Sequence, residues 1–268
     1  DLKRLVANLH WLGHDAFRID ADGLVIYIDP FLLKTGVPKA DLILITHEHM
    51  DHNNPGDVAK IMKEGTIIIT VARGAEKLSG DVRIIKPGEE MTVRGIPIRS
   101  VPAYNTNKFR SPGVPFHPRE LGYVGYLITV GGVTIYHTGD SDFIPEMKGL
   151  KPDVALLPVS GKYVMTAEEA VAAAAAINPR LAVPMHVGGP VGSISAAEDF
   201  RVRAYEARRL VRTETARMAA EADKASMEAC GIEEYEFCAT LDEATCSRCG
   251  TLDGKRFPAK QGEPGVNM

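Results

Sequence analysis

The sequence predicts an α/β fold, and three observations carry that prediction. Short runs of Val, Ile and Leu bounded by polar residues, such as Asp41-Leu-Ile-Leu-Ile-Thr46 and Thr66-Ile-Ile-Ile-Thr-Val71, read as strands covered on both faces. Helix-start signals alternate with these runs: Asn54-Pro55 follows the first, and Thr166-Ala-Glu-Glu169 forms a capping box ahead of an alanine-rich stretch. The segment Gly132-Val-Thr-Ile-Tyr136-His137-Thr138-Gly139-Asp140 also repeats the logic of Gly23-Leu-Val-Ile-Tyr27-Ile28-Asp29. Both are a glycine turn, a buried strand and a carboxylate at its end, as in a fold built from two similar halves.

The elements follow in order. Residues 8–12, 15–20 and 24–29 read as a meander of short strands, turning at Gly13-His14 and Ala21-Asp22-Gly23 and leaving Asp29-Pro30 at a strand end. Asn54 caps a helix with Pro55 at its first position, and 66–71 is a buried strand followed by a short helix over 73–78. Strands are expected at 82–86, 91–94, 96–101, 122–130, 133–138 and 154–159. Between Pro102 and Glu120 no periodicity survives, and a loop of this length in a compact domain is usually functional or disordered. Its position suits a cover, and Lys108, Arg110 and Arg119 on it could hold an anionic substrate, although solvated surface charge is the favoured reading. The alanine-rich helix stops at Asn178-Pro179, and the strand Leu181-Ala-Val-Pro-Met185 delivers His186 at its end.

The chemistry concentrates in His47-Glu48-His49-Met50-Asp51-His52, directly after the strand ending at Thr46. Near-extended backbone from Thr46 to His49 puts His47 and His49 on one side, as two ligands of one ion. Asp51 and His52 come after the turn and face a neighbouring position. Imidazole with a little carboxylate suits zinc or iron, less often manganese, and not calcium. Asp140 is the candidate bridging group, because a carboxylate has two oxygens and an imidazole cannot span two cations in that way. His137 is expected to face the strand layer.

The motif His47-x-His49-x-Asp51-His52 resembles the signature of the metallo-β-lactamase-fold hydrolases. The flanking pieces His10-Trp-Leu-Gly-His14-Asp-Ala-Phe17, Ile28-Asp29-Pro30-Phe31, Gly139-Asp140-Ser141-Asp142 and Pro184-Met185-His186 are similar to the UlaG-like branch. The resemblance covers residues 8 to about 199. It implies a four-layer αββα fold and a site in which His47 and His49 hold one ion, Asp51, His52 and His186 hold another, and Asp140 is shared. Asp51 and Asp140 then have catalytic roles. It also implies that Asp29 lies beside the ligand loop, and that His14 matches a Gly-His turn. A third imidazole for the first ion usually comes from the segment after the strand ending near Val101, where this chain carries Asn105, a weaker and harder ligand or a substrate contact. One or two Zn2+ ions are therefore expected, with Mn2+ as the substitute. The implied activity is attack of a metal-bound hydroxide on an ester, lactone or phosphodiester.

Composition sets the outer limits. The chain has 268 residues, 45% hydrophobic and 25% charged, with a net charge of −4 that argues against general affinity for nucleic acid. There is no signal-peptide pattern and no apolar stretch long enough to span a bilayer, so a reducing cytoplasmic setting is the expectation, with a homo-oligomer left open. The sequence begins at Asp1 without a Met, which allows for a lost upstream piece. All four Cys (Cys230, Cys238, Cys246, Cys249) fall after residue 229.

That tail is the second part of the expected organisation: a hydrolase domain over 1–198, C-terminally truncated because a final strand and helix are missing, then 199–268 as a long helix and a small α+β appendage. The Arg212-Thr-Glu-Thr-Ala-Arg217 helix, Asp242-x3-Cys246-x2-Cys249 and Leu252-Asp253-Gly254 resemble the C-terminal part of phage Mu F-like head morphogenesis proteins. Cys246 and Cys249 supply half of a tetrahedral zinc site. The His-Pro-x-Cys tail that usually follows is not reached before Met268, so a closed knuckle would need Cys238 or a partner chain. The alternative function is accordingly a phage minor head protein, with phage head proteins as partners and a non-catalytic N-terminal part.

Overall fold

A computed structural model describes residues 2–189, 191–207, 234–236 and 256–258. The chain divides into two compact units, residues 1–203 and 204–268. Among the described residues no helix is long and apolar enough to cross a membrane.

The first unit opens with α1 (Leu2–Ala7), which the sequence pattern did not announce; only Leu5 of it is buried. The meander follows as β1 (Leu9–Gly13), β2 (Ala16–Ala21) and β3 (Leu24–Ile28). Then come β4 (Leu42–Leu44), α2 (Pro55–Ile61), β5 (Ile67–Thr70), α3 (Ala72–Ala75) and β6 (Asp81–Ile84). These strands form a six-stranded sheet in the order β1-β2-β3-β4-β5-β6, antiparallel through β3 and parallel from β3 to β6.

The second sheet is built from β7 (Glu90–Val93), β8 (Ile96–Pro102), β11 (Val124–Val130), β12 (Val133–His137), β13 (Val154–Pro158) and β14 (Leu181–Met185). Its order is β14-β13-β12-β11-β8-β7, with β12, β13 and β14 parallel and the rest antiparallel. The aperiodic segment before β11 is not featureless: β9 (Phe109–Ser111) and β10 (Val114–Pro115) make a small hairpin within it.

Side-chain alternation sorts the layers. In β3, Ile26 and Ile28 point into the main core while Tyr27 points the other way. The main core lies between the sheets, where Phe17, Leu42, Leu44 and Ile69 meet Tyr126, Ile128, Ile135 and Leu156. On the outer face of the first sheet, Tyr27, Ile43, Ile45 and Ile68 pack with Val58 and Ile61 of α2. Outside the second sheet lies α4 (Ala167–Ile177), whose buried residues Ala170, Ala173 and Ile177 recur at helical spacing. The expected four layers, helix, sheet, sheet, helix, are present.

Both capping readings hold at atomic level. Asn54 accepts from the Asp57 amide with Pro55 at the first helical position, and Thr166 with Glu169 makes a reciprocal capping box. Residues 194–203 close this unit as helix, with Phe200 buried. In the second unit residues 204–207 are helical, and β15 (Glu234–Glu236) pairs antiparallel with β16 (Arg256–Pro258). The remainder of the expected arginine-rich helix and the expected half-site of Cys246 and Cys249 lie outside the described residues.

Candidate metal centre

Parallel strands deliver their carboxyl ends to one edge, and the polar side chains gather there. β4 leads through Thr46 to the His47–His52 loop, β12 to Gly139-Asp140, β13 to Ser160 and β14 to His186. The two sheets are pinned beside this edge. Tyr126 Oη donates to the Ile45 carbonyl at 2.9 Å, and the Val124 amide bonds to the Thr46 carbonyl at 3.3 Å. Gly139 sits at φ +62°, and a Cβ on it would lie 2.8 Å from the Val124 oxygen, so the Asp140 turn approaches as closely as it does only because residue 139 is glycine.

The first cluster is His47, His49 and His117, whose ligand atoms lie within 4.8 Å of one another. His47 Nε2 and His49 Nδ1 are 3.0 Å apart, so the two nitrogens converge on one point, as the extended spacing implied. The third imidazole is His117, from the aperiodic loop, with its Nε2 3.2 Å from Asp140 Oδ2. This corrects the part given to Asn105. Its Oδ1 is occupied, accepting from the His117 backbone N–H at 2.8 Å and from the His117 ring Nδ1 at 3.0 Å, and its Nδ2 donates to the Tyr163 carbonyl at 2.8 Å. Asn105 therefore orients an imidazole in place of one. His117 stands seventy residues after His47 with no local pattern around it; its only sequence signal was being a histidine in a long loop before a buried strand.

The second cluster overlaps two groups. His52 and His186 are common to both, joined in one by His14 and Asp51 and in the other by Asp15 and Asp140. His52 Nε2 is 3.3 Å from Asp140 Oδ1, and His186 Nε2 is 3.3 Å from Asp140 Oδ2. Asp140 thus reaches His117 and His186 with one oxygen and His52 with the other, between the two clusters. His14, expected at a turn and on the surface sooner than at the site, places Nε2 3.2 Å from Asp51 Oδ2, with its ring centred 4.1 Å from that of His186 and tilted to it by 48°.

Partners behind the rings fix which nitrogen faces inward. Asp29, at φ +45°, accepts from the Thr46 amide at 2.8 Å, from the Thr46 hydroxyl at 2.7 Å and from His52 Nδ1 at 2.7 Å. Because the Thr46 proton is committed to Asp29, its oxygen accepts from His47 Nδ1 at 2.9 Å. Ser160 Oγ lies 2.8 Å from His186 Nδ1. In each of His47, His52, His117 and His186 the Nδ1 is engaged, leaving Nε2 as the inward atom. His137 is accounted for elsewhere, donating to the Asp15 carbonyl at 2.9 Å within the strand layer.

Charge follows from this crowding. Burial, together with His52 nearby, holds His47 well below the ordinary histidine value. Burial works the same way on His186, but Asp140 and Asp15 outweigh it and lift the ring to about 9. His52 is likewise raised against its burial, by Asp140 and Asp29. Asp51 is brought down to about 2, its burial overcome by the His14 hydrogen bond and by His52.

A divalent cation fits this donor set. Asp140 Oδ1, His52 Nε2, His14 Nδ1 and both oxygens of Asp15 are buried without a hydrogen-bond partner. Groups of this kind are costly unless something satisfies them, and imidazole nitrogens with carboxylate oxygens are the ligands of zinc and its neighbours.

A cleft of about 420 Å³ is lined by residues of both clusters, His49, Asp51, His117, Asp140 and His186, together with Arg110, Phe116 and Tyr163. Phe116 and Tyr163 meet edge to face at 4.7 Å. Of the three loop cations, only Arg110 lines the cleft. Lys108 pairs with Glu169 at 2.6 Å, and Arg119 with Glu146 at 2.8 Å.

Comparison with known proteins agrees with this picture. The family model described as Beta-lactamase superfamily domain matches residues 8–186. The chain is 34% identical over 199 residues to a UPF0173 metal-dependent hydrolase of Methanopyrus kandleri, covering 68% of this chain and 84% of that protein. It is 34% identical over 196 residues to another of Carboxydothermus hydrogenoformans, covering 67% and 84%. Among solved structures, a candidate metal-dependent hydrolase of Parabacteroides distasonis superposes with a TM-score of 0.62 at 38% identity, covering 68% of this chain and 82% of that one. The metallo hydrolase Igni18 of Ignicoccus hospitalis superposes with a TM-score of 0.59 at 28% identity, covering 74% and 90%.

Proposed function

Since the chain belongs to the UPF0173 metal-dependent hydrolases of the beta-lactamase superfamily, we propose that His47, His49 and His117 hold one divalent ion, Asp51, His52 and His186 a second, and that Asp140 serves both. Zinc is the first choice and manganese the substitute. Residues 1–198 carry the hydrolase in this proposal, and 199–268 are an appendage.

The single observation that carries the reading is the inward convergence of these nitrogens and carboxylate oxygens, with each Nδ1 of His47, His52, His117 and His186 already engaged behind. When bound, the metal supplies a Lewis acid that acidifies water and polarises the substrate oxygen. The chain does the rest. Asp29, Asn105 and Ser160 hold the rings in register. Phe116 and Tyr163 form an apolar wall that excludes bulk water from one side. The volume suits a small molecule, and no Ser or Cys nucleophile is needed for an ester, lactone or phosphodiester.

The test is elemental mass spectrometry on full-length protein purified without chelator, beside turnover of p-nitrophenyl acetate, a γ-lactone and bis(p-nitrophenyl) phosphate. About two ions per chain and hydrolysis of at least one probe are expected, with both reduced in His186→Ala. A folded parent with no metal and no turnover sinks the proposal and returns the phage head protein, which no described feature favours.

A further inference from the structure

Asp15 has a position that the ligand set above does not use. It lies in the tight turn between β1 and β2, next to His14, whose φ of +53° bends the chain beneath the site. The turn is clamped on both sides. The His14 amide donates to the Val187 carbonyl at 3.1 Å, and the His186 amide donates to the His14 carbonyl at 3.2 Å. The Asp15 carbonyl accepts from His137 Nε2 at 2.9 Å. The backbone of residues 14 and 15 is therefore tied to the loop carrying His186 and to β12.

The side chain held there is a carboxylate with 0% exposure, and neither of its oxygens has a hydrogen-bond partner. Its Oδ2 is 3.7 Å from His52 Nε2, too long for a hydrogen bond. Its ligand atom lies within 4.8 Å of those of His52, Asp140 and His186. A protonated Asp15 would bury an O–H with no acceptor, and an ionised one buries a charge beside the His52 and His186 rings without a hydrogen bond from either; both are unfavourable. A cation at the His52–His186 position satisfies it.

We infer that Asp15 is a further ligand of the second ion, so that this position presents three carboxylates, Asp15, Asp51 and Asp140, with the two imidazoles of His52 and His186. The first position, with three imidazoles and Asp140, is nitrogen-rich. Oxygen-rich sets suit manganese or ferrous iron, and imidazole suits zinc. The two positions consequently differ in metal preference, and manganese competes better at the second than at the first. The inference rests on the two-ion reading above.

The test uses the full chain stripped by chelator and titrated with MnCl2 and separately with ZnCl2. Manganese binding is followed by electron paramagnetic resonance and zinc by a competing chromophoric chelator, with Asp15→Asn, the isosteric change, beside the parent. Manganese affinity at one position is expected to fall by at least about tenfold in Asp15→Asn, while zinc uptake at the imidazole-rich position holds. Asp15→Asn also removes a buried charge, so its melting temperature without metal is expected to equal or exceed the parent's, and only the manganese-induced rise is expected to shrink. Asp15→Ala is carried through the same titrations and is expected to lose manganese at the same position.

Parent and variants binding manganese within about twofold of each other overturn this inference alone and leave Asp15 a structural residue. Folded variants that lose zinc at the imidazole-rich position as well overturn the assignment of Asp15 to the second ion. A parent that takes up neither ion overturns the metal-site reading and this inference with it.

Discussion

Asp29→Asn is the most informative substitution. Asp29 is fully buried and accepts three hydrogen bonds, from the Thr46 amide, the Thr46 hydroxyl and His52 Nδ1. An amide of the same shape offers one acceptor oxygen and one NH2. With the NH2 towards His52, the Nδ1 must become an acceptor, which moves the proton to Nε2 and aims an N–H at the metal. With the NH2 towards the Thr46 amide, two donors face each other in a buried place. Either arrangement spoils a ligand whose remaining geometry is intact. Partners behind metal ligands are worth about 10- to 100-fold in affinity, or about 1.4 to 2.7 kcal/mol. The expected result is a loss of that size at the His52 position, with His47, His49 and His117 still able to hold their ion. Competition against a chromophoric chelator reads the affinity, and nitrogen NMR of the His52 ring reads the tautomer. A variant binding both ions within about twofold of the parent, with Nδ1 of His52 still protonated, refutes the reasoning.

Three further outcomes are expected. Asn105→Ala frees the His117 ring and orphans the Tyr163 carbonyl, so the first ion is expected to bind about tenfold more weakly, with a destabilisation of about 1–3 kcal/mol measurable in urea. His186 is protonated up to about 9 without metal, since Asp140 and Asp15 outweigh its burial. Its contribution to stability without metal is therefore complete below an unfolded value of about 6.5 and disappears as pH rises through about 9. Metal must displace this proton, so affinity is expected to rise with pH until about 9. Calorimetry in buffers of different ionisation enthalpy counts the released proton, and affinity that stays flat across this window contradicts the sign. Gly139→Ala would place its Cβ 2.8 Å from the Val124 oxygen at φ +62°. It is expected to cost about 1–3 kcal/mol and to lower metal content, read by thermal denaturation and elemental analysis.

The division of labour between sequence and tertiary structure is visible residue by residue. Hydrophobic runs and their boundaries located nearly every strand of both sheets, because burial on two faces demands the same apolar text wherever it occurs. Asn54 with Pro55 and Thr166 with Glu169 marked helix starts, since capping is settled within four residues. The cluster from His47 to His52 was legible for the same reason: its candidate ligands share one short loop. Asp140 and His186 stood at the ends of apolar strands, and for His186 it was the family resemblance, not the strand end, that gave it an expected place in the site.

What the sequence could not place was anything that depends on contact between distant segments. The loop after β8 reads as structureless, yet the pairing of the Asn105 amide with the His117 carbonyl at 2.9 Å folds it back on itself. That return brings His117 beside His47 and His49 and sets the Asn105 side chain behind the His117 ring. His14 and Asp15 look like turn residues until the His186 amide bonds to the His14 carbonyl and draws the first hairpin under the last ligand loop. By itself, then, the sequence determined the layers, the caps and the ligand loop, all matters of near neighbours and one-face burial. Only the packing of one sheet against the other decided which imidazole completes the first cluster and which carboxylates surround the second. Convergence of groups more than sixty residues apart is fixed by cross-sheet hydrogen bonds and core contacts, and no local pattern encodes it.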